Sequence, residues 1–262
     1  MLAALIANLL LAQQPAPGDS DKPVVSDNSF LVEEAYNQEA GVVQHISLFE
    51  RSKRSGDWTY SFTEEWPVPK NARHQFSYTV TAVDAGTGSG FGDSALNWRY
   101  QLVSNARVAI APRVSVSLPT GEIERSYSEG TAAWDINLPV SISTRHVTVH
   151  LNAGTFVGMT QPAVGDRIAQ FRIAQGLIFL PRGHVNLMVE AVTVRRRFAA
   201  AEWATTTVVS PGLRWAHRVG SLQIVPGVAV PVVVHSDAAS GEPTAWGLIG
   251  YLSLEHPFGR RP

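Results

Sequence analysis

From residue 41 onward, apolar and polar residues alternate with a period of two, segment after segment. Trp58, Tyr60, Phe62 and Trp66 share one face of their segment, opposite Thr59, Ser61, Thr63 and Glu65. The next sets Phe76, Tyr78, Val80 and Ala82 against Gln75, Ser77, Thr79 and Thr81. Leu96, Trp98, Tyr100 and Leu102 then oppose Asp93, Asn97, Arg99 and Gln101. Val108, Ile110, Val114, Val116 and Leu118 oppose Arg107, Arg113, Ser115 and Ser117, and Trp134, Ile136, Leu138 and Val140 oppose Asp135, Asn137 and Ser141. Six more segments, with apolar faces beginning at Val147, Phe171, Val185, Val209, Leu222 and Trp246, keep the period with less contrast. Adding the stretch from Val42 to Phe49 predicts about twelve strands, each near the nine to eleven residues that a tilted strand needs to cross a bilayer.

The joins alternate too. Short ones at 104–105, 143–145, 181–183 and 217–220 take turns with long ones at 119–130, 158–166, 195–203 and 235–243; the segment PVPKNAR, 67–73, is too long for its place in this order. Outer-membrane barrels have short periplasmic turns and long outer loops, whereas a soluble sandwich has no reason to sort its loops and would carry Lys and Glu on its solvent face. The fold predicted is therefore all-β, a transmembrane antiparallel up-and-down β-barrel of about twelve strands, with a short N-terminal lead-in or plug segment. Closure suits the bilayer, because only a closed sheet leaves no unpaired backbone edge in hydrocarbon. Pro112, Pro139, Pro211 and Pro226 fall within strands, where each costs a ladder bond, and are read as bulges or strand ends.

Composition narrows the function classes. The chain of 262 residues has a formal net charge of −1, 16% charged residues and no cysteine. The absence of a basic excess argues against a nucleic-acid partner, and the absence of thiols removes disulfides and thiolate chemistry. Only Lys22, Lys53 and Lys70 are lysines, all in the first third; elsewhere arginine carries the positive charge. Leu2 to Ala12 has the length of a signal-peptide apolar region, so 1–12 is read as a signal peptide and 13–29 as a flexible linker. Residues 30–41 form an acidic lead-in or plug, 42–258 the outer-membrane β-barrel, and 259–262 a C-terminal tail.

By parity the lumen collects Asp93, Asn97, Arg99, Arg107, Arg113, Asp135, Asn137, Arg172, Glu190, Arg214 and Glu255. Two readings stay open: a selectivity lining, or an ion-pair network that fills and stabilises the interior. Ahead of the first strand, Glu33, Glu34, Asn37 and Gln38 sit in FLVEEAYNQEAG, whose spacing suits a short amphipathic helix or an extended segment able to pair with the lumen arginines.

The strings FLVEEAYNQEAGVVQHI, GFGDSALNWRYQLV, APRVSVSLPTG, INLPVSIST, VVSPGLRWAH and the closing WGLIGYLSLEHPF resemble the outer-membrane barrel proteins grouped under the MetA pathway of phenol degradation, often described as transporters. The resemblance spans residues 30–258. It implies an outer-membrane location in a Gram-negative bacterium and passage of small solutes, aromatic or hydrophobic compounds among them. The final strand, with Trp246, Leu248, Leu252, Leu254 and Phe258 on one parity, also resembles the signal by which such barrels engage the outer-membrane assembly machinery; the departure is the Gly-Arg-Arg-Pro that follows Phe258.

No H-E-x-x-H, G-x-S-x-G or P-loop motif is present, and no cofactor or metal is implied. The reading is a non-enzymatic channel or transporter whose partners are the lipid bilayer, the assembly machinery and a small-molecule solute. The alternatives are a barrel-embedded lipid hydrolase or acyltransferase, which would recruit His146, His150 or His217 at a lipid-facing site, and a purely structural barrel.

Overall fold

The computed structural model describes residues 29–258 apart from 129, 159–168, 183, 198–201 and 238–244. The leader 1–12, nearly all of the linker 13–29 and the tail 259–262 lie outside the described residues. Twelve antiparallel strands form one closed barrel. They are β1 (Val42–Ser52), β2 (Trp58–Val68), β3 (Asn71–Asp84), β4 (Ser89–Phe91, Ser94–Tyr100 and Val103–Ser104), β5 (Val108–Ile110 and Arg113–Leu118) and β6 (Ala133–Ser143). There follow β7 (Val147–Gly158), β8 (Ala169–Arg182), β9 (Val185–Arg197), β10 (Ala204–Trp215 and His217–Val219), β11 (Leu222–Ala229 and Val232–Ser236) and β12 (Gly247–Pro257). Each pairs with its sequence neighbours, and β1 closes onto β12 in a register that sets Leu48 opposite Tyr251. The one helical element among the described residues is a 3-10 turn, Ile123–Arg125, in the join after β5.

The segment 67–73 is not a long join. Strand pairing continues through Pro67 opposite Gln75 and Val68 opposite Asn71, leaving a turn at Pro69 and Lys70, with Lys70 in the left-handed region at φ 66°. With that correction every second join is short: 69–70, 105–107, 144–146, 183–184 and 220–221. The prolines also differ from expectation. Pro139 and Pro211 sit in regular register, opposite Asn152 and Val189, and Pro226 opposite Leu252. A strand residue's N–H and C=O point to the same side, and the Pro139 carbonyl accepts from Ala111 N–H while that of Pro211 accepts from Val230 N–H. Each missing donor therefore faces a break in the neighbouring strand, at 111–112 in β5 and 230–231 in β11. Pro112, which lies in the first of these breaks, does mark a strand interruption.

The barrel is inside out compared with a soluble domain. Ile173, Leu96, Leu248, Leu177 and Ile136 are exposed on the outer wall, while Asn137, Ser141, Asn186, Glu190, Ser210 and Ser253 are all but completely buried within. The seven tryptophans divide between the two ends: Trp58, Trp134, Trp203 and Trp246 toward the long joins, Trp66, Trp98 and Trp215 toward the short turns. Two aromatic belts around an apolar band are what a barrel shows where it meets the two interfaces of a bilayer. Ile173, the most exposed of the β8 apolar residues at 70%, lies well inside its strand, so Ile173→Arg is expected to weaken folding into vesicles by about 2–4 kcal/mol. Urea-dependent refolding equilibria in lipid check it; an unchanged midpoint would mean that this face does not meet hydrocarbon.

Candidate functional site: the lumen and the N-terminal segment

Residues 29–38 run inside the barrel in an extended, irregular conformation; no helix forms. A turn feeds them in. Val42 N–H donates to Glu39 C=O at 3.0 Å, and Gly41, at φ +77°, takes the left-handed position that glycine adopts without strain. From this turn the contacts advance strand by strand around the wall. Gln38 N–H donates to Gln75 Oε1 of β3 at 2.7 Å, and its side-chain amide donates to Gln44 Oε1 of β1. Asn37 N–H donates to Gln101 Oε1 of β4, and Ala35 N–H to Ser141 Oγ of β6. Glu33 N–H donates to Asn152 Oδ1 of β7, and Val32 and Leu31 N–H both donate to Glu190 Oε1 of β9, at 2.9 and 3.0 Å. Extended backbone away from water needs partners for its amides, and for Leu31, Val32, Glu33, Ala35, Asn37 and Gln38 the wall supplies them one strand after another.

The far end is apolar. Phe30 is packed with Ile178, Met188, Val225, Ala229, Ile249 and Tyr251, its ring centroid 5.2 Å from that of Tyr251. Two glycines make the space. A Cβ on Gly227 would lie 2.6 Å from Phe30 Cζ, and one on Gly212 2.7 Å from Phe30 Cε2. Burying a phenyl ring in such a recess is worth about 1.5–3 kcal/mol, which fixes the end of a segment otherwise held by hydrogen bonds.

The predicted lumen residues divide into three groups. Arg99, 4% exposed, donates to Glu34 C=O, Tyr36 C=O and Asn37 Oδ1 at 3.0–3.1 Å and lies 3.7 Å from Glu65. Arg113 pairs with Glu33 and, at 3.4 Å, with Asp135, which is also 3.3 Å from Arg172; Asn137 donates to Glu33 Oε2 at 3.0 Å. These residues meet in one network with the inserted segment. Elsewhere on the wall, Arg214 is buried beside Asn186, whose amide oxygen, turned toward the guanidinium, accepts at 3.0 and 3.2 Å. Asn97 donates to Ser77, and Glu255 accepts from Gln223. Two residues are not in the lumen interior. Arg107 is exposed in the turn 105–107, because β5 starts only at Val108, and half-buried Asp93 lies at the loop end of β4, accepting from Gly121 N–H. Arg107 is thus apart from Arg99 and Arg113, which stand opposite each other on β4 and β5.

Parity puts Gln75 and Ser141 on the polar face but not among the lumen candidates, and leaves Gln44 and the glycines unplaced. Gln75, Gln44, Ser141 and the glycines of the recess carry no charge, and only the path of the inserted segment makes them matter. His150 also faces inward, 2.7 Å from Ser141 Oγ, while His146 and His217 are exposed near the short turns, so no histidine triad assembles on the outer wall among these three. Burial pushes the Tyr36 phenol above its ordinary pKa. Beside the segment remains a cavity of about 150 Å³ lined by Glu33, Ile46, Thr63, Glu65, Gln75, Ser77, Thr79, Asn97, Arg99 and Arg113.

No family model and no curated protein matches the sequence. Solved structures do match. The COG4313 outer membrane channel from Pseudomonas putida F1 is similar with a TM-score of 0.60 at 13% identity, over 93% of this chain and 99% of that one. The NanC porin gives 0.58 at 9% identity over 81% and 98%, and the KdgM porin, also solved in complex with disordered oligogalacturonate, gives 0.51 at 10% over 82% and 99%. At such identities the likeness is one of fold, and this chain has the twelve-stranded β-barrel fold of those outer-membrane channels.

Proposed function

We propose that the protein is a channel of the outer membrane of a Gram-negative bacterium that admits small solutes through a polar lumen, with residues 30–41 as its plug. The observation that supports this reading best is a closed barrel whose polar interior holds a separate segment of the chain, hydrogen-bonded to the wall side chains around it. With the segment in place, the cavity of about 150 Å³ holds a handful of water molecules and is smaller than the roughly 300 Å³ at which pockets begin to take small organic ligands. Passage of larger solutes then requires the segment to move. Export by the leader 1–12 and insertion by the assembly machinery, as the final strand resembles, complete the reading.

The lumen charges favour the ion-pair reading over an anion-attracting stripe. Arg99, Arg113 and Arg172 each stand beside a carboxylate, of Glu65, Glu33 or Asp135. Such balance gives little preference for either sign of ion. In planar bilayers the refolded protein is expected to show discrete conductance steps, with a reversal potential within a few millivolts of zero under a potassium chloride gradient. Absence of steps from folded protein overturns the channel; a strong shift toward the anion potential overturns the balanced lumen.

Long joins outside and short turns in the periplasm follow from the same reading. Single cysteines at Ser128, in the join after β5, and at Ser104, beside the 105–107 turn, are expected to differ at least tenfold in labelling by an impermeant maleimide on whole cells. Equal labelling, or labelling at Ser104 alone, reverses the orientation.

A further inference from the structure

The wall reads the inserted segment by its main chain. Six N–H groups, of Leu31, Val32, Glu33, Ala35, Asn37 and Gln38, donate to wall side chains, and four carbonyls, of Glu33, Glu34, Ala35 and Tyr36, accept from them. Two carboxamides behave as a neighbouring strand would. Asn152 accepts from Glu33 N–H at 2.8 Å and donates to the same residue's C=O at 2.9 Å; Gln101 accepts from Asn37 N–H and donates to Ala35 C=O, both at 2.7 Å. A carboxamide carries the donor and acceptor of a peptide group, so these side chains extend sheet-like pairing into the lumen. Hydrogen bonds of this kind are blind to sequence. Selection comes from the side-chain contacts: the recess around Phe30, the Arg113 and Asn137 groups on Glu33, the tight fit of Ala35 against Ala109 and Ala111, all three fully buried, and the polar contacts of Asn37 with Arg99 and of Gln38 with Gln44.

We infer that the lumen wall is a binding site for an extended peptide, of which the chain's own N-terminal segment is the resident occupant. A peptide from solution with an aromatic residue, a carboxylate three positions on and an alanine two further takes the same place when the resident leaves. The resident has the advantage of its tether. Attached through the Gly41 turn, it acts at an effective concentration in the millimolar range, so an outside peptide at micromolar concentration wins only where the resident's own anchors are weakened. Binding needs no conduction, and a silent bilayer recording leaves it standing.

The test uses the full chain carrying Phe30→Ala and Glu33→Ala, refolded in detergent, and a fluorescent peptide of the sequence SFLVEEAYNQEAG, residues 29–41. Fluorescence anisotropy is expected to show saturable binding to this variant and at least tenfold weaker binding to the unaltered protein. The same peptide N-methylated at the Val32 and Asn37 amides keeps every side chain and loses two main-chain donors; it is expected to bind at least tenfold more weakly. Should the double variant not fold, Phe30→Ala alone serves at higher peptide concentration. No binding to a folded variant overturns the site, and equal binding of the N-methylated peptide overturns its main-chain reading.

Discussion

If the protein conducts as proposed, Gly227→Val is expected to raise the conductance of the refolded protein severalfold while leaving the barrel folded. No atom of the plug is altered. The substitution fills the recess from the wall side, where even a Cβ meets the Phe30 ring at 2.6 and 2.7 Å. Gly227 pairs with Arg214 of β10 and Tyr251 of β12, so its own backbone stays in regular register with a β-branched residue that strands accept readily. Expelling the ring removes about 1.5–3 kcal/mol from the inserted state, which shifts the closed-to-open ratio by about ten- to a hundredfold. Bilayer recordings paired with heat-modifiability on gels decide it. Unchanged conductance in a folded variant means that Phe30 does not hold the segment.

Arg99→Ala has the largest expected cost in stability. The guanidinium is almost wholly buried and serves two carbonyls, the Asn37 side chain and Glu65 at once. Removing it leaves a buried carboxylate and two main-chain acceptors with less than they had, a change worth about 3–5 kcal/mol. The expected result is a markedly lower unfolding temperature with the reversal potential still near zero. A shift toward cation selectivity at unchanged stability would instead make Arg99 part of a selectivity lining. Arg107→Ala, at an exposed turn, is the control and is expected to alter neither property.

The barrel was legible in the sequence because a membrane imposes one rule on every strand: polar residues inward, apolar outward. That rule placed Asn97, Arg113, Asn137 and Arg172 on the inner wall. It failed at Arg107, where parity was carried past the end of the strand, and at 67–73, where two prolines and a lysine disguised a tight turn. The conformation of the inserted segment was open between helix and extended chain, since its own residues allow both and the acceptors that decide come from β3, β4, β6, β7 and β9. The recess does have a signal, masked by its prolines, which point first to a bulge or strand end: Pro211-Gly212 and Pro226-Gly227 are Pro-Gly pairs inside strands. A glycine inside a strand marks a close approach as often as a break, and here the approaching group is Phe30. Ion partners were illegible for a plainer reason, since Glu33 and Arg113 or Asp135 and Arg172 meet only once the register of several strands is set.

The inserted segment begins and ends its circuit at the same place, the junction of β1 and β12. At one end Gln38 holds Gln44 of β1, which itself donates to Ser253 of β12 at 2.9 Å; at the other, Phe30 rests on Tyr251 of β12. Joining the first strand to the last is the slowest contact for a barrel to find, because the ends of the chain must meet across all the others. Once Phe30 is seated, β1 is tied to β12 by a leash of about a dozen residues, and the search across the whole chain becomes a local one at millimolar effective concentration. The residues that lie in the lumen are thereby also a tie across the seam at which the sheet closes.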